Sequence, residues 1–256
     1  MHDPDRYRPT ERFGDRVDDY RRHRPGYPPA LTAWLIAEAG LAAGDPVADL
    51  GSGTGLLSRD LLAAGLRVHA IEPNAAMRAA AEADLGATSG FASRAGTAEA
   101  TGLPDRSMKL LTAAQAFHWF VPAQARAEAQ RILVPGGAAA LIWNVRRIDG
   151  AFAIAYEELL MRRCPDYAAG QPHQASPREI GAFFGDSAIR EARFDYVQHF
   201  DFDGLKGRLL SSSYTPKADD PARATLLAEL QRLFDEHRQQ GQVAFEYDCR
   251  AYFAVL

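Results

Sequence analysis

The segment Asp49-Leu50-Gly51-Ser52-Gly53-Thr54-Gly55 sets an acid before three glycines at alternate positions. A short apolar run, Pro46 to Leu50, leads into it, and a helical pattern from about Leu56 to Ala64 leads out. Glycines let a chain turn tightly and let a ligand approach the backbone with no Cβ in the way. Amides exposed at a helix start attract polar or anionic groups. Strand, glycine turn and helix in that order are the context in which such a turn binds a nucleotide or nucleoside. Glu72 ends the next apolar run, Arg67 to Ile71, at the place where a carboxylate accepts both hydroxyls of a ribose.

Spacing and charge discriminate among nucleosides. A dinucleotide loop spaces its glycines G-x-G-x-x-G to seat a pyrophosphate. Here the pattern is G-x-G-x-G with Asp49 at the strand end, and a carboxylate there repels a pyrophosphate while suiting an ammonium group. S-adenosylmethionine carries an amino group, a carboxylate, a sulfonium and a ribose, and no phosphate. The charge pattern favours it over NAD as the cofactor.

The elements that must position these residues alternate. Ala30 to Ala39 has an apolar helical face closed by Gly40 and Gly44, and Ala75 to Ala83 is an alanine-rich helix. A weak third strand lies near Phe91 to Ala95, a fourth at Met108 to Ala113 and a fifth at Ala138 to Trp143. Between the last two, Pro122 opens a helix running to Leu133. Such alternation predicts an α/β fold with a doubly wound parallel sheet. After Asn144 the rhythm changes. Residues 150–190 read as helices and loops, Arg193 to Phe202 as a half-exposed strand, Ala222 to Gln239 as an amphipathic helix and Val243 to Phe253 as the last strand. The expected organisation is a core at 30–149, an inserted cap at 150–220, and a helix and strand at 221–256 that complete the core.

Bulk properties bound the function. The 256 residues are 47% apolar and carry a formal net charge of -4, which argues against nucleic acid as a partner. An N-terminal cluster of Arg6, Arg8, Arg12, Arg16, Arg21, Arg22 and Arg24 is largely offset by acidic neighbours and reads as a solvated face. Cys164 and Cys249 have no disulfide-framework or metal-ligand spacing, and no metal is expected. The polar N-terminus and the lack of a long apolar window lead to the expectation of a cytoplasmic protein with no membrane partner.

With these residues in view, the chain resembles the class I S-adenosylmethionine-dependent methyltransferases, and among them the small-molecule, type 11, trans-aconitate methyltransferase-like group. The resemblance runs from about Phe13 to Asn144. Asp49 to Gly55 resembles the first motif, and Glu72-Pro73-Asn74 with Met77 the ribose-binding second. Gly96-Thr97-Ala98-Glu99 followed by Leu103 to Ser107 resembles the adenine-side loop. Gln115-Ala116-Phe117-His118-Trp119-Phe120 resembles the segment after the fourth strand, and Leu133 to Gly137 the turn before the fifth. Tyr20 and Arg24 to Pro28 resemble a lid, which marks 1–29 as an N-terminal lid segment. The resemblance implies a Rossmann-like, mostly parallel seven-stranded sheet with an antiparallel last strand. It also implies cofactor contacts from Tyr20, Arg24, Asp49, Gly51, Ser52, Gly53, Gly55, Glu72, Pro73, Met77, Thr97, Ala98, Glu99 and Gln115. Thr97 departs from the pattern, since many relatives place an aspartate there for the adenine amino group. That contact is left to Glu99, to Thr97 itself or to the backbone.

The acceptor side follows from position. His118 stands just past the fourth strand, at the carboxyl edge where such sheets bind ligands, and is the candidate to bind the acceptor or take its proton. Trp119, Trp143, Asn144 and Tyr214 are the further candidates for substrate contact. The expected function is transfer of a methyl group from S-adenosylmethionine to a small organic molecule, by a monomer or homodimer. Its non-enzymatic rival is a protein that binds the cofactor as a sensor or assembly factor. An NAD-linked oxidoreductase lacks the required glycine spacing, and a nucleic-acid methyltransferase lacks its Asn-Pro-Pro-Tyr-type motif at Gln115 to His118.

Overall fold

The structure is a computed structural model that describes residues 24–169, 175–212 and 214–256. Its seven strands are β1 (Pro46–Leu50), β2 (Arg67–Ile71), β3 (Phe91–Arg94), β4 (Met108–Ala114), β5 (Leu133–Arg146), β6 (Arg190–Phe200) and β7 (Val243–Val255). They form one sheet in the order β3-β2-β1-β4-β5-β7-β6. The pairs β1–β2, β1–β4, β2–β3 and β4–β5 are parallel, whereas β7 runs antiparallel to both β5 and β6. This is the doubly wound, Rossmann-like sheet with an antiparallel last strand.

Two helical layers cover the sheet, because parallel strands are apolar on both faces. On one face α1 (Pro29–Glu38) and α2 (Leu56–Ala63) bury Leu31, Leu35, Leu57 and Leu61 against Val47, Val68 and Leu110. Near them α3 (Ala75–Leu85) starts at Asn74, whose side chain caps the amides of Ala76 and Met77. On the other face α4 (Pro122–Ile132) buries Ala125, Ala129 and Ile132 against Leu111, Ala113 and Leu141.

A third cluster forms from α5 (Ala151–Arg163), α6 (Pro165–Ala169), α8 (Phe202–Leu210) and α9 (Ala222–His237). Tyr156, Leu160, Leu205, Leu209, Leu226 and Leu230 pack there against Phe245 and Tyr247 at the start of β7. The short helix α7 (Pro177–Phe184) instead joins the sheet core through Ile180, Phe183 and Phe184.

Two expectations meet a different geometry. Within the stretch read as a cap, 150–220, residues Arg190–Phe200 are β6, paired along their whole length with β7 and therefore part of the sheet. Strand β5 begins at Leu133, ahead of the Pro135-Gly136-Gly137 turn. Its register against β4 jumps from Met108–Leu133 to Leu110–Ala138, so the turn is carried inside the strand as an irregularity.

Candidate functional site

The strand order reverses beside β1, which has β2 on one side and β4 on the other, and ligands of such sheets sit outside that reversal. The glycine turn lies there. Gly51, Gly53 and Gly55 have φ of +63°, +57° and +82°, a region that residues with a Cβ enter only at a cost. Gly51 is also hemmed in, since a Cβ on it would stand 2.5 Å from the Ala116 Cβ. Gly55 begins α2, and a Cβ there would meet Leu85 at 2.7 Å. Gly53 differs, because nothing lies within 4 Å of where its Cβ would be. Ser52 holds the loop through backbone bonds, its amide to Ile71 and its carbonyl to the Gly55 amide.

Glu72 is 8% exposed and accepts two amides, from Gly53 at 3.0 Å and from Asn74 at 2.8 Å. Burial raises its carboxyl pKa against those bonds. Pro73 follows it, and Arg78 binds the carbonyls of Glu72 and Pro73. Met77 is buried beneath this turn at the start of α3.

Asp49 is buried and faces inward. Its carboxylate accepts the hydroxyls of Ser58 at 2.6 Å and Thr112 at 2.9 Å. Burial pushes its pKa up to about 6, with Glu72 adding to the rise and the two hydroxyls opposing it. The acid read from sequence as suiting a ligand's ammonium is thus buried at the end of β1. Ser58 and Thr112 were missed in the sequence. A serine on the inward face of a leucine-lined helix and a threonine in an apolar strand were the signals available.

In the loop that the resemblance assigns to adenine, Thr97 is exposed and Ala98 buried in a tight turn closed by Thr97–Ala100 backbone bonds. Glu99 accepts the Val121 amide at 2.8 Å, which ties that loop to the start of α4. Beyond β4, Gln115 takes the left-handed conformation with φ +56° and donates from Nε2 to the Asn144 carbonyl at 3.1 Å. A non-glycine residue held there is a local strain of the kind that clusters at functional sites. The turn Phe117–Trp119 follows, with His118 and Trp119 half-buried and their rings 4.7 Å apart.

Asn144 donates to the Gly26 carbonyl at 2.9 Å, which brings the segment after residue 24 onto the same edge. Arg24 donates to the Ser211 carbonyl at 3.2 Å. Tyr214 is half-buried, its ring 4.7 Å from that of Tyr167. Trp143 is 3% exposed, its ring edge-on to Phe117 and Tyr252 in the sheet core, and alternation along β5 sets it on the face opposite Asn144. Tyr20 lies outside the described residues.

A reversal point with a glycine turn after β1 and a fixed carboxylate after β2 is the arrangement of the nucleotide-binding class of α/β proteins. The methyltransferase domain family matches residues 48–141. A methyltransferase-like protein of Schizosaccharomyces pombe is 33% identical over 224 residues, covering 86% of this chain and 85% of that one. This chain belongs to that methyltransferase family. A methyltransferase of Mycobacterium tuberculosis is 42% identical over 134 residues, 52% of each chain, so the chain spans about half the length of the mycobacterial relatives it matches. Among solved structures, one from Anaeromyxobacter dehalogenans described as a type II methyltransferase superposes with a TM-score of 0.68 at 23% identity, covering 91% of this chain and 97% of that one. Geranyl diphosphate C-methyltransferase from Streptomyces coelicolor, in complex with S-adenosyl-L-homocysteine, gives 0.50 at 15% identity, covering 88% and 75%. These two show the shared fold.

Proposed function

We propose that the chain uses S-adenosylmethionine to methylate a small organic molecule. The observation that carries this is the Glu72 carboxylate, held on the Gly53 amide beside a glycine whose Cβ position is empty, at the sheet's reversal point. The residues fit the cofactor: an open cradle at Gly53, a fixed acid for ribose hydroxyls, and the negative charge of Asp49 beneath the turn for an ammonium. A relative of the same fold binds the demethylated product.

When bound, S-adenosylmethionine supplies a methyl group already activated on a sulfonium. The protein's task is then alignment, which can lower a barrier by about 7–11 kcal/mol. Gln115 donates to the Asn144 carbonyl and Asn144 to the Gly26 carbonyl, and in this reading they line the acceptor side. His118, beside Trp119 at the end of β4, is placed to hold the acceptor or take its proton. Calorimetric titration with S-adenosylmethionine, S-adenosylhomocysteine and NADH tests this. Micromolar binding of both sulfur nucleosides and none of NADH supports the reading, and no binding of either sulfur nucleoside ends it. Binding without methyl transfer to any of a panel of small acceptors would favour a sensor.

A further inference from the structure

Among the described residues Arg208 is a cation that makes no ion pair. It lies on α8 beside the buried Leu205 and Leu209, in the inner layer of the cap. Its Nη1 donates to Ser212 Oγ at 3.3 Å, and Tyr156, Tyr214 and Tyr247 lie near its guanidinium. Tyr156 and Tyr247 are buried. The Arg208 Nε is sequestered without an acceptor, and the Tyr247 hydroxyl lies beside the guanidinium outside hydrogen-bond geometry. By contrast, the neighbouring cation Arg146 is paired with Glu157, which also accepts the Tyr167 hydroxyl. Among the described residues no carboxylate forms an ion pair with Arg208.

A guanidinium stays charged at every physiological pH, and neutral phenols do not offset it. A sequestered charge without a counter-charge destabilises a fold. Arg208 nevertheless keeps part of its surface accessible. The end of its helix lies at the same edge of the sheet as the site described above. Arg24 binds the Ser211 carbonyl, the following Gly26 binds Asn144, and Tyr247 is in register with Arg146, two residues beyond Asn144.

We propose that Arg208, with Ser212 and Tyr214 beside it, binds an oxyanion of the methyl acceptor, a carboxylate or a phosphate, and so sets which acceptors are taken. This rests on the methyltransferase reading. Arginine suits the role because its planar fork matches both anions with two parallel hydrogen bonds.

The test titrates glutarate, phenyl phosphate and the neutral glutaramide into the full chain saturated with S-adenosylhomocysteine, for wild type, Arg208→Gln and Arg208→Lys. The expected result is binding of one or both anions and not of glutaramide, weakened at least tenfold in Arg208→Gln and partly restored in Arg208→Lys. Whichever anion binds identifies the source. Without anion, Arg208→Gln should melt at or above the wild-type temperature, because it removes an uncompensated charge. The proposal is overturned if neither anion binds wild type, if Arg208→Gln binds them equally well, or if Arg208→Lys recovers nothing at equal melting temperature. S-adenosylhomocysteine binding, read first in the same samples, separates the two failures. Its absence sinks the methyltransferase reading, whereas its presence without anion binding sinks this inference alone.

Discussion

The Glu72 carboxylate accepts the Gly53 amide at 3.0 Å, so the acid after β2 and the glycine turn after β1 move as one unit. Glu72 also takes the Asn74 amide at the start of α3. Glu72→Ala should therefore lose two things at once. Each amide left without a partner costs about 1–3 kcal/mol of stability, and S-adenosylhomocysteine affinity should fall at least about tenfold, roughly 1.4 kcal/mol. Glu72→Gln keeps the shape and should lose affinity with a smaller drop in melting temperature. Calorimetry and thermal denaturation on both variants check this; unchanged affinity in Glu72→Ala would refute the ribose role.

Gly51 and Gly53 share a backbone conformation but not a setting, which separates folding from binding. Gly51→Ala adds a Cβ 2.5 Å from Ala116 and should cost about 2–5 kcal/mol, combining the left-handed penalty with overpacking. Gly53→Ala meets no protein atom and should cost only about 1–2 kcal/mol. Its added methyl group stands in the proposed cradle, so cofactor affinity should fall far more than stability. Equal affinity for wild type and Gly53→Ala would move the ligand elsewhere.

These residues were legible in the sequence because their conformations restrict residue type: a positive φ calls for glycine, and an acid at a strand end beside such a turn has few other uses. The sheet was legible for a similar reason, each parallel strand being a short apolar run between turns. What escaped were roles conferred by distant packing. Thr112 meets Asp49 across 63 residues, and nothing local marks it. Arg208 drew no reading from the sequence, and only the fold brings it near three tyrosines. Residues 133–137 read as a turn alone, because the pairing that carries them inside β5 is supplied by β4.

Glu128 should govern part of the acid stability. It accepts the Thr101 amide and hydroxyl and both Nε and Nη2 of Arg131, which hold its pKa down to about 2. The Arg131 bond is the largest cause, and burial opposes it. A depressed carboxyl contributes stability above its unfolded pKa and loses it as pH falls through the folded one. The loss should run from pH 4.5 down to about 2 and amount to about 2–3 kcal/mol, allowing for screening at the half-exposed Arg131. In Glu128→Gln the denaturation midpoint should be lower at neutral pH and should respond less to acid in that window. A parallel pH profile for the two proteins would show that the network contributes nothing.

Asp49 has the opposite sign, and its titration should be felt at the cofactor. Its pKa is raised to about 6, chiefly by burial, with Glu72 adding to the rise and Ser58 and Thr112 opposing it. The raised value means that stability from the protonated form is complete below pH 3.8 and is lost as pH rises through about 6. Keeping the charge at neutral pH then costs about 3 kcal/mol. An ammonium bound above the turn would repay that cost only with the carboxylate ionised. S-adenosylhomocysteine should therefore bind wild type more tightly as pH rises from 5 to 7. Asp49→Asn, which cannot ionise, should be more stable than wild type at pH 8 without ligand and should bind weakly with a flatter pH profile. Glu72, whose pKa is also raised, remains in both proteins, so the difference between the two profiles reports Asp49 together with its coupling to Glu72. Superimposable profiles would mean that the buried charge serves the turn's architecture and does not reach the ligand.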